Sequence, residues 1–178
     1  MEFCKLKNSF DIGKYTVLEE QNFFGEEDKS KGIWYYHVDF PKKQELLNLI
    51  PEKYHKDISI TLMKINMEIP IHTDTGIKST LNFYIKTNDC LTQFYKTTEN
   101  TKFNRIDPHP EAGFLFDEDE VIRTHSFVAQ DNEAWILDVS KPHSVKLGGN
   151  FKERLAIAMS CALCYNDLKQ ILTDAGQL

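Results

Sequence analysis

The chain has 178 residues, which at roughly 150 residues per domain reads as a single domain with length enough for one substantial core. Apolar residues make up 41% and charged residues 27%, with 8 Gly and 6 Pro, which excludes a disordered, collagen-like or coiled-coil chain. Lysine and arginine number 21 against 27 aspartate and glutamate, a net charge of −6 with no basic run, which argues against nucleic acid and anionic membranes as partners.

In chain order, the start MEFCKLKNSF lacks the apolar core of a signal peptide, so a cytoplasmic location is expected. A strand is expected at Tyr15 to Leu18 and an aromatic strand at Gly32 to Phe40 (GIWYYHVDF). Within it, Trp34 to His37 reads as core or barrel flank. A helix follows from about Lys42 to Ile50, opened by Pro41 and closed before Pro51. From there the pattern turns to strands. Asp57 to Ile71, Lys78 to Thr87, Cys90 to Lys96, Gly113 to Phe116, Glu120 to Ala129, Glu133 to Val139 and Arg154 to Cys164 are rich in β-branched and aromatic residues, with turn signals between them. The polar stretch Thr97 to Glu111 reads as a long loop and a candidate lid, and the acidic patch Asp117 to Glu120 as solvated. A short helix near Tyr165 to Ala175 finishes the chain.

Short strands in succession after a helical element predict a mainly β fold, a barrel or cupin-like jelly-roll with a supporting N-terminal helix and a short C-terminal helix. Its barrel core spans about residues 57–164. No window approaches the ~18 consecutive apolar residues of a membrane span. Cys4, Cys90, Cys161 and Cys164 are expected to stay reduced. Cys161 and Cys164 have metal-ligand spacing but no second pair downstream, which favours buried thiols.

In such a barrel, strand parity locates the site, because side chains alternate between the inside and outside faces. His72 and Asp74 lie one residue apart, so in an extended chain an imidazole and a carboxylate leave the same face. His143, after Pro142, follows an apolar strand that delivers it to a barrel rim. Two histidines and one carboxylate on one face of a divalent ion leave the opposite positions open, the arrangement of non-haem Fe(II) oxygenases. Taken singly, each also reads as an ordinary turn or loop residue. Arg154 shifts that balance. One face of the last strand carries Arg154, Ala156, Ala158 and Ser160, and the other the packing residues Leu155, Ile157, Met159 and Cys161. A guanidinium among small residues has room beside it for a carboxylate. The same parity places Thr80, Asn82 and Tyr84 on a polar face, either toward a ligand or merely on the wet side of their strand.

IHTDTGIKSTLNFYI from Ile71, AWILDVSKPHSV from Ala134 and ERLAIAMS from Glu153 resemble the three signature stretches of the Fe(II)- and 2-oxoglutarate-dependent dioxygenases. The resemblance covers roughly Asp57 to Cys161 and is nearest to the aspartyl/asparaginyl β-hydroxylase-like and free amino-acid hydroxylase branch. It implies a double-stranded β-helix in which His72, Asp74 and His143 ligate Fe(II) and act as the catalytic set. Arg154 would pair with the distal carboxylate of 2-oxoglutarate, and Asn82 or Tyr84 would be a secondary contact to it. The implied reaction uses dioxygen, converts 2-oxoglutarate to succinate and hydroxylates a small molecule, such as an amino acid, or a peptide side chain. The sequence departs from the family at Ala156, where many members carry a serine or threonine, so that contact must come from elsewhere, with Tyr84 or Ser160 as candidates. His109 and His125 are alternative ligands, and Arg123 and His125 share a parity that could face a substrate. Two other readings stand beside the enzyme: a cupin-like barrel that binds a metal or small acid without oxidation, and a metal-dependent isomerase or hydrolase that needs no Arg154.

Overall fold

Runs of β-branched and aromatic residues bounded by turn signals become strands, and in the computed structural model, which describes residues 1–105, 113–149 and 152–178, they form two antiparallel sheets. The first runs in the order β1 (Phe3–Lys5), β11 (Ala134–Leu137), β6 (Ser79–Lys86), β13 (Arg154–Cys161), β4 (Ile58–Ile65), β3 (Gly32–Asp39) and β2 (Thr16–Gly25). The second runs β10 (Val121–Val128), β7 (Leu91–Thr97), β12 (His143–Lys146), β5 (Ile69–His72), β9 (Phe114–Leu115) and β8 (Asn104–Arg105).

The first sheet is covered on both faces, and β13 illustrates why. Its residues Ile157, Met159 and Cys161 join an outer core with Leu46 of helix α1 (Lys43–Leu47) and with Tyr165, Leu168 and Leu172 of helix α2 (Tyr165–Asp174). The spacing of that last trio gives α2 one apolar stripe and a solvated remainder. The helix stops because Gly176 takes a left-handed conformation, φ 72°. Its N–H then reaches the Thr173 carbonyl at 2.9 Å and the Gln177 N–H the Leu172 carbonyl at 2.8 Å, closing the last turn. Ala156 and Ala158, on the opposite parity of β13, turn into an inner core between the sheets. There Phe3 of the first sheet packs on Phe94 of the second, with ring centroids 5.6 Å apart.

Several elements differ from the sequence expectation for local reasons. The run Asp57 to Ile71 is two strands in different sheets, β4 and β5, broken at 66–68. Asn66 holds that break: its side chain accepts the Gly32 N–H at 2.8 Å and donates to the Ser30 carbonyl at 2.9 Å. The first expected strand runs on to Gly25 through an acidic, exposed stretch with two irregularities in its pairing to β3. Helix α1 is only five residues long, has no side-chain cap, and is followed after Pro51 by a 3-10 turn at Glu52–Asp57. Strands β1, β8 and β12 are additional, and His143 opens β12 rather than lying in a loop. Among the described residues no helix is long and apolar enough to cross a membrane. The four cysteines are free, with Cys90 and Cys161 buried and Cys164 exposed at the start of α2.

Candidate metal centre

Strand β12 lies between β5 and β7, and its register sets His143 opposite His72 on one side and Phe94 on the other. Cross-strand neighbours on one face touch. Here the two imidazole centroids are 4.3 Å apart and Phe94 stacks on the His143 ring at 5.8 Å. The chain stays extended past the end of β5, so Asp74 returns to the face His72 leaves from. Its backbone N–H is held by the Val139 carbonyl at 3.1 Å, and intervening Thr73 ties the segment to β9 by accepting the Phe114 N–H at 3.0 Å. Asp74 Oδ1 thereby stands 3.2 Å from His72 Nε2 and 3.6 Å from His143 Nε2.

The hydrogen bonds behind the rings decide which nitrogen faces this cluster. His72 Nδ1 is 2.9 Å from the Pro70 carbonyl and His143 Nδ1 is 2.9 Å from the Lys141 carbonyl. A carbonyl oxygen only accepts, so each Nδ1 carries the proton and each neutral ring turns an Nε2 lone pair toward Asp74. Three acceptors and one negative charge converge where no donor meets them, an arrangement that a cation satisfies. In its absence a proton does the same work. Burial opposes the charged form of His72, but the hydrogen bond and charge of Asp74 outweigh it and raise its pKa. Burial, then the positive charge of His72, push His143 down to about 4, so it stays neutral. Burial favours a neutral Asp74, yet the hydrogen bond from His72, the charge that His143 takes on only in acid, and the charge of His72 hold its carboxyl below the usual range.

His72, Asp74 and His143 offer donor atoms that all lie within 4.8 Å of one another and could hold a metal ion. Donors bound at about 2.1 Å and at right angles around one ion stand about 3 Å apart, close to the 3.2 and 3.6 Å that separate Asp74 from the two imidazoles. The outer carbonyl partners of the two rings fix tautomer and orientation as they do for metal-bound imidazoles.

The three groups line a cavity of about 70 Å³ between the sheets, and Arg154 lines it too. Arg154 is 3% exposed and makes no ion pair among the described residues. Its Nη1 donates to Thr92 Oγ1 at 3.1 Å, its Nη2 to the Tyr84 hydroxyl, and its guanidinium lies 4.7 Å over the Tyr84 ring. Its Nε has no hydrogen-bond partner. A buried cation held only by neutral groups, with one donor idle, fits an anion entering the cavity.

The other sequence candidates separate here. Asn82, Thr80 and Ser160 line the cavity. Asn82 Oδ1 accepts from Thr80 at 3.0 Å, and its amide NH2 has no protein partner among the described residues. Tyr84 is fully buried beneath Arg154, accepts a hydrogen bond from it and is not among the residues that line the cavity. His125 pairs with Glu2 at 2.7 Å on the exposed edge strand β10 and is not part of the cluster. His109 lies outside the described residues, as does the 106–111 part of the expected lid. Two participants went unnoticed in the sequence: Thr92, and Tyr35, which lines the cavity from β3 instead of only packing on the flank. Burial and then the charge of Asp74 push the Tyr35 phenol far up, so it is neutral. A larger groove of about 430 Å³ lies near Phe10, Leu46 and Gln177, but its lining holds no histidine, cysteine or buried charge. No protein-family model matches the chain, and no curated protein matches it.

Proposed function

We propose that the chain is an Fe(II)- and 2-oxoglutarate-dependent dioxygenase that hydroxylates a C–H bond. The observation that carries this reading is the shared cavity: an acceptor-only His72, Asp74 and His143 cluster at one place and, at another, the buried guanidinium of Arg154, held by neutral groups alone and with its Nε unbonded. A ligand that answers both demands is a metal-chelating diacid. The strand order supports the matching fold. In chain order β4, β6, β11 and β13 fall in the first sheet and β5, β7, β10 and β12 in the second, each set side by side. Eight strands distributed so between two antiparallel sheets are what a jelly-roll or double-stranded β-helix requires.

The residues divide the work by chemistry. His72, Asp74 and His143 would hold iron through Nε2, Oδ1 and Nε2. Arg154 would take the far carboxylate of 2-oxoglutarate, with Tyr84 and Thr92 keeping its fork in place. Asn82 and Ser160 offer neutral hydrogen bonds along the wall, in the role that Ala156 cannot fill. Iron held there would supply the dioxygen chemistry, whose overall balance sends one oxygen to the new carboxylate of succinate as carbon dioxide leaves and the other to the substrate hydroxyl, with cosubstrate and C–H bond each giving two electrons. Arg154 is buried among largely aliphatic residues, where its contact with a carboxylate would be stronger than in water.

The test is an anaerobic titration followed by admission of air. Iron-loaded protein is expected to bind 2-oxoglutarate and to form succinate once air is admitted. No binding of iron or of 2-oxoglutarate would overturn the reading. Binding of both with no succinate under air would replace it by a small-acid-binding barrel.

A further inference from the structure

We infer that the group hydroxylated in this cavity is uncharged and largely apolar, and that a free zwitterionic amino acid is not the substrate. This rests on the dioxygenase reading above and follows from the charges the cavity can match. Among its described lining residues the ionisable side chains are His72, Asp74, His143, Arg154 and Tyr35. Once a dication sits on the cluster and a dianionic acid on Arg154, the positive charges of metal and guanidinium are matched by Asp74 and the two carboxylates. Among the described lining residues nothing charged is left over. The rest of the described wall is mostly aliphatic, with Ile33, Ile69, Ile77, Leu137 and Val139 among it, and its polar groups, those of Thr80, Asn82, Thr92 and Ser160, are all neutral.

In a molecule as small as an amino acid the ammonium and carboxylate lie within a few bonds of the carbon to be oxidised, so they enter with it. Both would be stripped of water against aliphatic side chains without a counter-charge, the least favourable fate for an ion. An uncharged side chain or neutral molecule meets no such penalty, and its burial against the isoleucines is favourable. Met67, like Ile33, Tyr35 and Ile77, is partly buried against the inner core. The step is the one balanced above: a C–H bond becomes C–OH with one oxygen of dioxygen, while the other goes to succinate.

The experiment uses the full chain loaded with Mn(II) and 2-oxoglutarate without oxygen, reading paramagnetic broadening of ligand proton signals. The probes are the N-acetyl methylamides of leucine, phenylalanine, proline and asparagine, each set against its free amino acid. At least one capped probe is expected to broaden, with apparent affinity at least about tenfold above that of its free counterpart. The same probe, with iron and air, should gain the mass of one oxygen. A free amino acid that broadens as strongly as its capped form, or that is itself hydroxylated, overturns the inference, and so does a complete lack of broadening on protein that holds Mn(II) and 2-oxoglutarate. A control titration recorded first separates the two levels: if Mn(II) brings no 2-oxoglutarate to the protein, the dioxygenase reading itself has failed and the inference falls with it.

Discussion

At the scale of single residues, the two charged demands of the cavity are met by different physics. Asp74 is the one anion among three donors, and both imidazoles depend on it to concentrate negative potential at the cluster. Asp74→Asn keeps the shape and removes the charge. It should weaken Mn(II) binding by more than the roughly 10–100-fold seen when only an outer partner of a ligand is lost, measured by isothermal titration. A smaller change would move the cation elsewhere. Arg154 instead depends on neutral oxygens, and the Tyr84 hydroxyl is buried with it. Tyr84→Phe removes a hydrogen bond to a charged donor, a loss of about 1.5–3 kcal/mol, to be read from urea denaturation of the metal-free protein. Metal affinity should stay within about twofold, because Tyr84 contacts no member of the cluster.

At the scale of elements, the site and the helices belong to different cores. Helix α2 covers the outer face of the first sheet through Tyr165, Leu168 and Leu172, while the cavity opens on the inner face. Leu168 is fully buried, so Leu168→Ala should cost about 2–5 kcal/mol of stability. Denaturation curves with and without Mn(II) should nevertheless give the same metal-dependent increment as the parent. A lost increment would mean that the two cores are coupled through β13. The same element explains how much of the molecule its sequence discloses. The alternation along Arg154 to Cys161 survives into the structure, with Arg154, Ala158 and Ser160 on the cavity and Ile157, Met159 and Cys161 on the helices. His72 and Asp74 are legible because their proximity is local and needs only an extended backbone. Thr92 and Tyr35 are not, because each reaches the cavity through a pairing between distant segments: β7 beside β12, and β3 beside β4. Strand β12 is four residues long and follows a proline, too short a stretch for alternation to declare itself. The break between β4 and β5 is hidden for the opposite reason, since Ile65, Asn66, Met67, Glu68 and Ile69 keep the alternation of a strand while the chain changes sheet.

At the scale of the whole molecule, the two halves of the site are electrostatically incomplete apart. The cluster without a cation pairs Asp74 with a proton on His72 and offers a diacid no anchor, whereas Arg154 attracts one. A metal ion adds positive charge and a second anchor, so metal and diacid should each raise the affinity for the other by the same factor. Thermal unfolding under four conditions measures this: protein alone, with Mn(II), with 2-oxoglutarate and EDTA, and with Mn(II) and 2-oxoglutarate together. A ligand at about 100 times its dissociation constant stabilises by about 2.7 kcal/mol, which for a chain of this length moves the midpoint by about 5–10 °C. That increment is expected from 2-oxoglutarate when Mn(II) is present and should shrink to a small fraction of it under EDTA. Arg154→Met, which replaces the buried cation with an apolar side chain, should keep the increment from Mn(II) and lose the one from the diacid. Equal shifts from 2-oxoglutarate with and without metal would place the diacid on Arg154 alone. The cavity would then act as an anion site beside an independent metal centre, and the charge balance that selects an uncharged substrate would no longer hold.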